Sequence, residues 1–275
     1  MKSRLNYEIL EKRLEGVNDA QTRARVSFFV LLVATVSILV ALWNAYLSWD
    51  RQWADSEFAP KEWGQTQVTS QTIKSWTEGQ FVGIPILGIR VATSDIAFLG
   101  SASLIIFSFY CCMCARRENH EIGSLLIDAN KTEDDNLKWQ TYFGIRSQLV
   151  LNPTTDNDGV FQKLDEIPEK NKLLLSRNLI PFLLYLPAIA IFLILLSDLY
   201  FAFLYKSPWR SNQESAWTLL KPPYKFQLIF TDFIGFISNL IVFYFCYRTN
   251  NYFKGTKKIV EEFISILRKI ERKKI

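Results

Sequence analysis

Residues 27–49 read SFFVLLVATVSILVALWNAYLSW, a run without a single charged side chain. A helix rises about 1.5 Å per residue, so a run of this length crosses a hydrocarbon core about 30 Å thick. Three further runs of the same kind follow at 96–115 (IAFLGSASLIIFSFYCCMCA), 179–205 and 226–247, and only Asp198 and Asp232 bring charge into them. A soluble core helix of such length would carry a polar face. The expected fold class is therefore all-α: a polytopic membrane protein with four transmembrane helices, at 26–49, 96–115, 179–205 and 226–247. The first run follows a charged lead-in of 25 residues, and no A-x-A-like site comes after it. It reads as a retained signal-anchor and not as a cleaved secretory signal.

Lys and Arg set the expected orientation. With four spans, residues 1–25, 116–178 and 248–275 share one side, and the outer loops 50–95 and 206–225 share the other. The first set holds Lys2, Arg4, Lys12, Arg13, Arg23, Arg25, the Arg116–Arg117 pair, Arg248 and a basic cluster between Arg268 and Lys274. The second set is poorer in basic residues, so both termini are expected in the cytoplasm of a plasma or bacterial inner membrane. Trp49, Trp53, Trp63, Trp76, Trp209 and Trp217 gather in or beside the outer loops, where indole rings favour the headgroup zone. All four cysteines, Cys111, Cys112, Cys114 and Cys246, fall at the opposite ends of the spans, so no disulfide forms in an outer loop. The net charge of +5 reflects this topology and not a nucleic-acid patch, which would need a basic stripe interleaved with aromatics.

Outside the spans, the spacing of Leu5, Ile9, Leu10, Leu14 and Val17 predicts an amphipathic cytoplasmic helix over 1–25. The outer loop turns apolar at FVGIPILGI, residues 81–89, too short to span and interrupted by Gly83, Pro85 and Gly88. An interfacial or re-entrant segment, or a covered loop, is expected there. Residues 116–178 read as a small helical cytoplasmic segment. It comprises an extension of helix two, the charged KTEDDN, a short element around Trp139 and Tyr142, and a turn at NPTTDNDG. In the tail 248–275, Thr256 reads as the N-cap of a separate basic amphipathic helix striped by Val260, Phe263, Leu267 and Ile270. That stripe suits either packing on the inner segment or an oligomer, or contact with anionic lipid or a protein partner.

Few polar residues remain in the spans, and they recur at helical intervals. Ser37, Asn44 and Ser48 mark helix one, Ser101 and Ser108 helix two, and Asp232, Gly235 and Asn239 helix four. The candidate bundle- or pore-facing stripe is thus Ser37, Ser48, Ser101, Ser108, Gly235 and Asn239. Small residues let membrane helices approach closely, which is the plainer account of the same pattern. Asp198 and Asp232 sit at one expected depth, roughly 10 Å below the outer surface at 1.5 Å per residue. With Asn44, Asp95 and Arg90 they form a candidate ion or proton site at the outer mouth, since an ionised carboxylate there needs water, a cation or a base.

Enzymatic readings find little purchase. Intramembrane aspartyl proteases set one aspartate in GxGD, whereas FTDFIG surrounds Asp232, so an intramembrane hydrolase is a remote alternative. The lone His120 leaves no HExxH site, and neither GxxxxGK nor GxGxxG occurs. No catalytic, metal or cofactor residues are expected. Two functions remain: an oligomeric channel-like or transport-related protein with an acidic outer vestibule, or a non-transporting scaffold, sensor or assembly partner acting through its cytoplasmic parts. The lipid bilayer and further copies of the chain are the expected partners.

Overall fold

The structure, a computed structural model, describes residues 2–57, 81–84, 89–132, 134–146, 174–199 and 222–272. Five helices dominate it: α1 (Lys2–Glu57), α2 (Thr93–Lys131), α3 (Asp135–Arg146), α4 (Leu174–Leu199) and α5 (Pro222–Arg272). Two strands, β1 (Phe81–Ile84) and β2 (Ile89–Ala92), pair antiparallel with Phe81 opposite Ala92 and Ile84 opposite Ile89. The apolar run after Gln80 thus contributes to a strand pair, which suits β-branched Val82, Ile84, Ile89 and Val91. By length and composition, Glu8–Ala41 of α1 and Leu99–Lys131 of α2 can cross a membrane, and Pro181–Leu196 of α4 is a shorter apolar stretch.

The chain divides into two compact units. Unit 1 takes Met1–Leu32, Phe107–Leu186 and Tyr244–Ile275. Its order comes from a seven-residue repeat. On α1 the inward positions are Leu10, Leu14, Val17, Gln21, Ala24, Phe28 and Leu31; on α2, Ser108, Cys111, Ala115, Glu118, Ile122, Leu125 and Ala129. On α5 they are Cys246, Thr249, Phe253, Thr256, Val260, Phe263 and Leu267. Every step is four or three residues, the spacing that keeps one seam of a helix turned toward supercoiled neighbours.

Contacts fix the directions. Arg13 pairs with Asp128 while Ser27 is hydrogen-bonded to Cys111, so α1 runs antiparallel to α2. Phe109 meets Phe245 edge to face at 5.3 Å, and Asn119 Nδ2 donates to Thr256 Oγ1 at 3.0 Å, so α2 and α5 run parallel at an offset of 136 or 137 residues. The core joins Leu10 and Val17, Ile122 and Leu125, Leu137, Tyr142 and Ile145 of α3, and Val260, Phe263 and Leu267. Helix α3 starts where the Asp134 carboxylate accepts from the backbone N–H groups of Asn136 and Leu137, a side-chain N-cap. It lies close on α1, for a Cβ at Gly144 would stand 3.0 Å from the Leu14 methyls.

Thr256 is not an N-cap. Helix α5 passes through it unbroken, and its hydroxyl bonds back to the Tyr252 carbonyl at 3.1 Å while accepting from Asn119. A buried hydroxyl satisfied on both sides suits a helix interior, so Gly255 ends nothing here. Beyond it, Val260, Phe263 and Leu267 of the stripe are buried in the core.

Unit 2 takes Val33–Ile106 and Pro187–Phe243. Here Ile38 of α1 packs on Gly100 of α2, and Leu195 of α4 packs on Gly235 of α5. A Cβ at Gly235 would stand 2.5 Å from Leu195 Cδ2, so the small residue sets how closely these two helices approach.

Exposed side chains change character along each long helix. On α1 they are mainly charged or polar up to Arg23 (Glu11, Lys12, Glu15, Asp19), Ile9 excepted, and mainly apolar from Val26 (Phe29, Val33, Val36, Val40). On α2 the apolar series Leu99, Ile106, Phe109 and Met113 gives way at Arg116, and on α5 the series Phe230, Phe236, Leu240 and Tyr247 gives way at Arg248. Water penalises apolar surface of this extent, whereas lipid does not.

Candidate functional site

The acidic residues singled out by sequence all belong to unit 2. Asp232 lies one turn before Gly235 on α5, partly buried, with its Oδ1 enclosed and without a hydrogen-bond partner among the described residues. Asn239, one turn beyond Gly235, has a buried Oδ1 in the same condition. Asp198 occupies α4 three residues after Leu195, and Asp232 precedes Gly235 by three on α5, so the Leu195–Gly235 contact of the antiparallel helices sets the two aspartate positions level. That antiparallel sense also follows from Tyr185, whose hydroxyl stands 3.5 Å from Asn250 Nδ2. The same reasoning applies to α1 and α2. Ser27 meets Cys111 and Ile38 meets Gly100, so Asn44 comes level with residue 94, beside Asp95. Arg90 is on β2. The side chains of Asn44, Ser48, Arg90, Asp95 and Asp198 lie outside the described residues.

The small polar stripe divides. Ser101 and Ser108 are buried, and Gly235 is pressed against Leu195. Ser37 is exposed, and the inward position of that turn of α1 belongs to Thr35.

A second polar group sits in unit 1 and carries no motif. Gln21 is 1% exposed and Glu118 4%, and both occupy seam positions otherwise taken mainly by apolar or small residues. Among the described residues, neither polar atom of the Gln21 amide has a hydrogen-bond partner, nor do Glu118 Oε2 and Arg25 Nη2. Burial pushes the Glu118 carboxyl from its ordinary 4.5 up to about 7, against the pull of the nearby Arg25 guanidinium. Reading the spans separately from the lead-in hides this layer; continuing the four-three count from Leu10 through Val17 reaches Gln21 directly.

The cysteines are free and buried. His120 is exposed, and no group of three or more His, Cys, Asp or Glu that could hold a metal ion occurs among the described residues. Comparison with protein families, curated proteins and solved structures finds no match to this chain.

Proposed function

We propose that the chain is a four-span protein of a cell membrane, with both termini cytoplasmic, that assembles as a homo-oligomer and handles a cation or proton at an acidic level near its outer mouth. Exposed apolar surface on α1, α2, α4 and α5 supports four spans: Phe182, Phe192 and Leu196 of α4 and Phe230 and Phe236 of α5 are about half exposed, as are Val33 and Val40 of α1. The switch to charge at Arg23, Arg116 and Arg248 supports a cytoplasmic side for unit 1.

The observation that carries the functional reading is Asp232, an enclosed and unpartnered carboxylate inside an apolar segment. Such a group is costly in lipid unless a cation, a proton or water reaches it. The 136–137 offset between α2 and α5, continued along both helices at equal rise, brings Asp95 level with Asp232, as Asp198 already is. Three carboxylate positions and Asn44 at one level suit cation selection by an acidic ring. In liposomes, the wild-type chain is expected to pass monovalent cations or protons, and Asp232→Asn to lose most of that flux. Unchanged flux and selectivity in Asp232→Asn would remove the acidic site from the reading.

A second reading, a non-transporting sensor or assembly partner acting through unit 1, is favoured by Ile127 and Phe143, both more than half exposed on the charged part of that unit. It predicts no flux from the wild-type chain, together with loss of partner capture in Ile127→Ser/Phe143→Ser.

A further inference from the structure

The arginines of unit 1 are not equivalent. Arg13 pairs with Asp128, Arg23 with Asp19 at 2.9 Å and Arg117 loosely with Glu121 at 4.0 Å. Arg116 and Arg248 have no carboxylate partner among the described residues, and both side chains are exposed. One stands on α2 and the other on the parallel α5, whose register sets Arg248 level with residues 111 and 112, so the two charges flank one seam little more than a helical turn apart. Arg248 is held there: its Nη2 donates to Tyr252 Oη at 3.0 Å, and its guanidinium lies 5.3 Å from that ring's centroid.

The faces below the two arginines are apolar. One helical turn and two turns before Arg116 come Met113 and Phe109, both exposed, and one turn before Arg248 comes exposed Tyr244. No acidic residue shares these faces. Arg116 stands off the face of α2 that meets α1 at Cys111 and Glu118. Paired cations above exposed aromatic and thioether surface, at the point where exposed side chains turn from apolar to charged, match one chemistry: a phosphate carried on an acyl chain. Arginine's planar fork binds phosphate oxygens two at a time.

We propose that Arg116 and Arg248 clamp the headgroup phosphate of an anionic phospholipid whose chain lies along Phe109, Met113 and Tyr244. The site rests on the membrane reading above and is separate from the acidic level. The test uses the full chain in bilayers of phosphatidylcholine with a minor share of phosphatidylglycerol. Spin-labelled forms of each lipid report the fraction immobilised on the protein. The wild-type chain is expected to immobilise phosphatidylglycerol preferentially, and each of Arg116→Gln and Arg248→Gln to cut that preference about fivefold, the worth of one basic residue at an anionic surface. Arg117→Gln and Lys258→Gln should leave it intact.

Equal immobilisation of the two lipids by the wild-type chain overturns the proposal however the variants fold. So does a preference that survives Arg116→Gln/Arg248→Gln, or one that inorganic phosphate displaces, which would make free phosphate the ligand. Failure of the membrane reading looks different: the chain would be extracted by alkaline carbonate and immobilise neither lipid.

Discussion

Glu118 shows how one residue can make a folded unit sensitive to pH. Its carboxyl titrates near 7 when folded and near 4.5 when unfolded, so the folded state binds the proton more tightly. The contribution of Glu118 to stability is therefore fully present below about pH 4.5 and is lost as pH rises through about 7. The fall amounts to about 3 kcal/mol at about 1.4 kcal/mol per unit. Denaturation in detergent at pH 5 and pH 7.5 should register that loss, and Glu118→Gln should abolish most of it. A wild-type chain equally stable at both values would show that Arg25 compensates the charge in full. Nothing about Glu118 in isolation distinguishes it from the neighbouring Glu121, since burial follows from the phase of the helix and not from the residue type. The isolated aspartates could be noticed by eye because they break an apolar run; Glu118 could not, because it sits among other charges.

At the scale of the element, the seam of α1 makes a prediction of unusual sign. Gln21 buries an amide with no partner, a cost that leucine would not incur while also adding apolar contact. Gln21→Leu is expected to raise unfolding stability by about 1–2 kcal/mol, whereas Leu125→Ala, which empties a core position, should lower it by about 2–5 kcal/mol. Thermal melts of both variants beside the wild type check the pair; a destabilised Gln21→Leu would mean that ordered water or a ligand already satisfies the amide. The elements also explain what the sequence left illegible. Apolar length marks a membrane-crossing helix without marking where it stops, and α5 runs through Gly255 because Asn119 and the core hold its last turns. Tertiary contacts override the local signal of a glycine followed by a threonine. The hairpin was hidden for a related reason: Gly83, Pro85 and Gly88 signal interruption equally well in a re-entrant segment and beside a turn.

At the scale of the molecule, the acidic level is the claim most open to direct measurement. With the four native cysteines replaced, Asp95→Cys/Asp232→Cys should be joined by a short bifunctional thiol reagent within one chain, whereas Asp95→Cys/Ser238→Cys, displaced by nearly two turns, should not. Equal yields from the two pairs would sever Asp95 from the site and leave only the level shared by α4 and α5. That the positions of Asp198 and Asp232 come level with each other was readable from counting residues inward from each loop. That Asp95 shares this level rests on the offset between α2 and α5, which no count along one helix supplies.

The joining of Leu10 and Leu267 in one core governs the order of events during synthesis. At a translation rate of about 5–20 residues per second, the α1 stripe waits roughly 10–50 s for its last partner to leave the ribosome. Ile122, Leu125, Tyr142 and Ile145 are made well before then, so Leu10, Leu14 and Val17 wait with the core part-built and its α5 side open. The nascent chain therefore presents a sticky, unfinished surface for most of its birth, and a chaperone that shields it, or a second nascent copy that captures it, competes with the chain's own C-terminus.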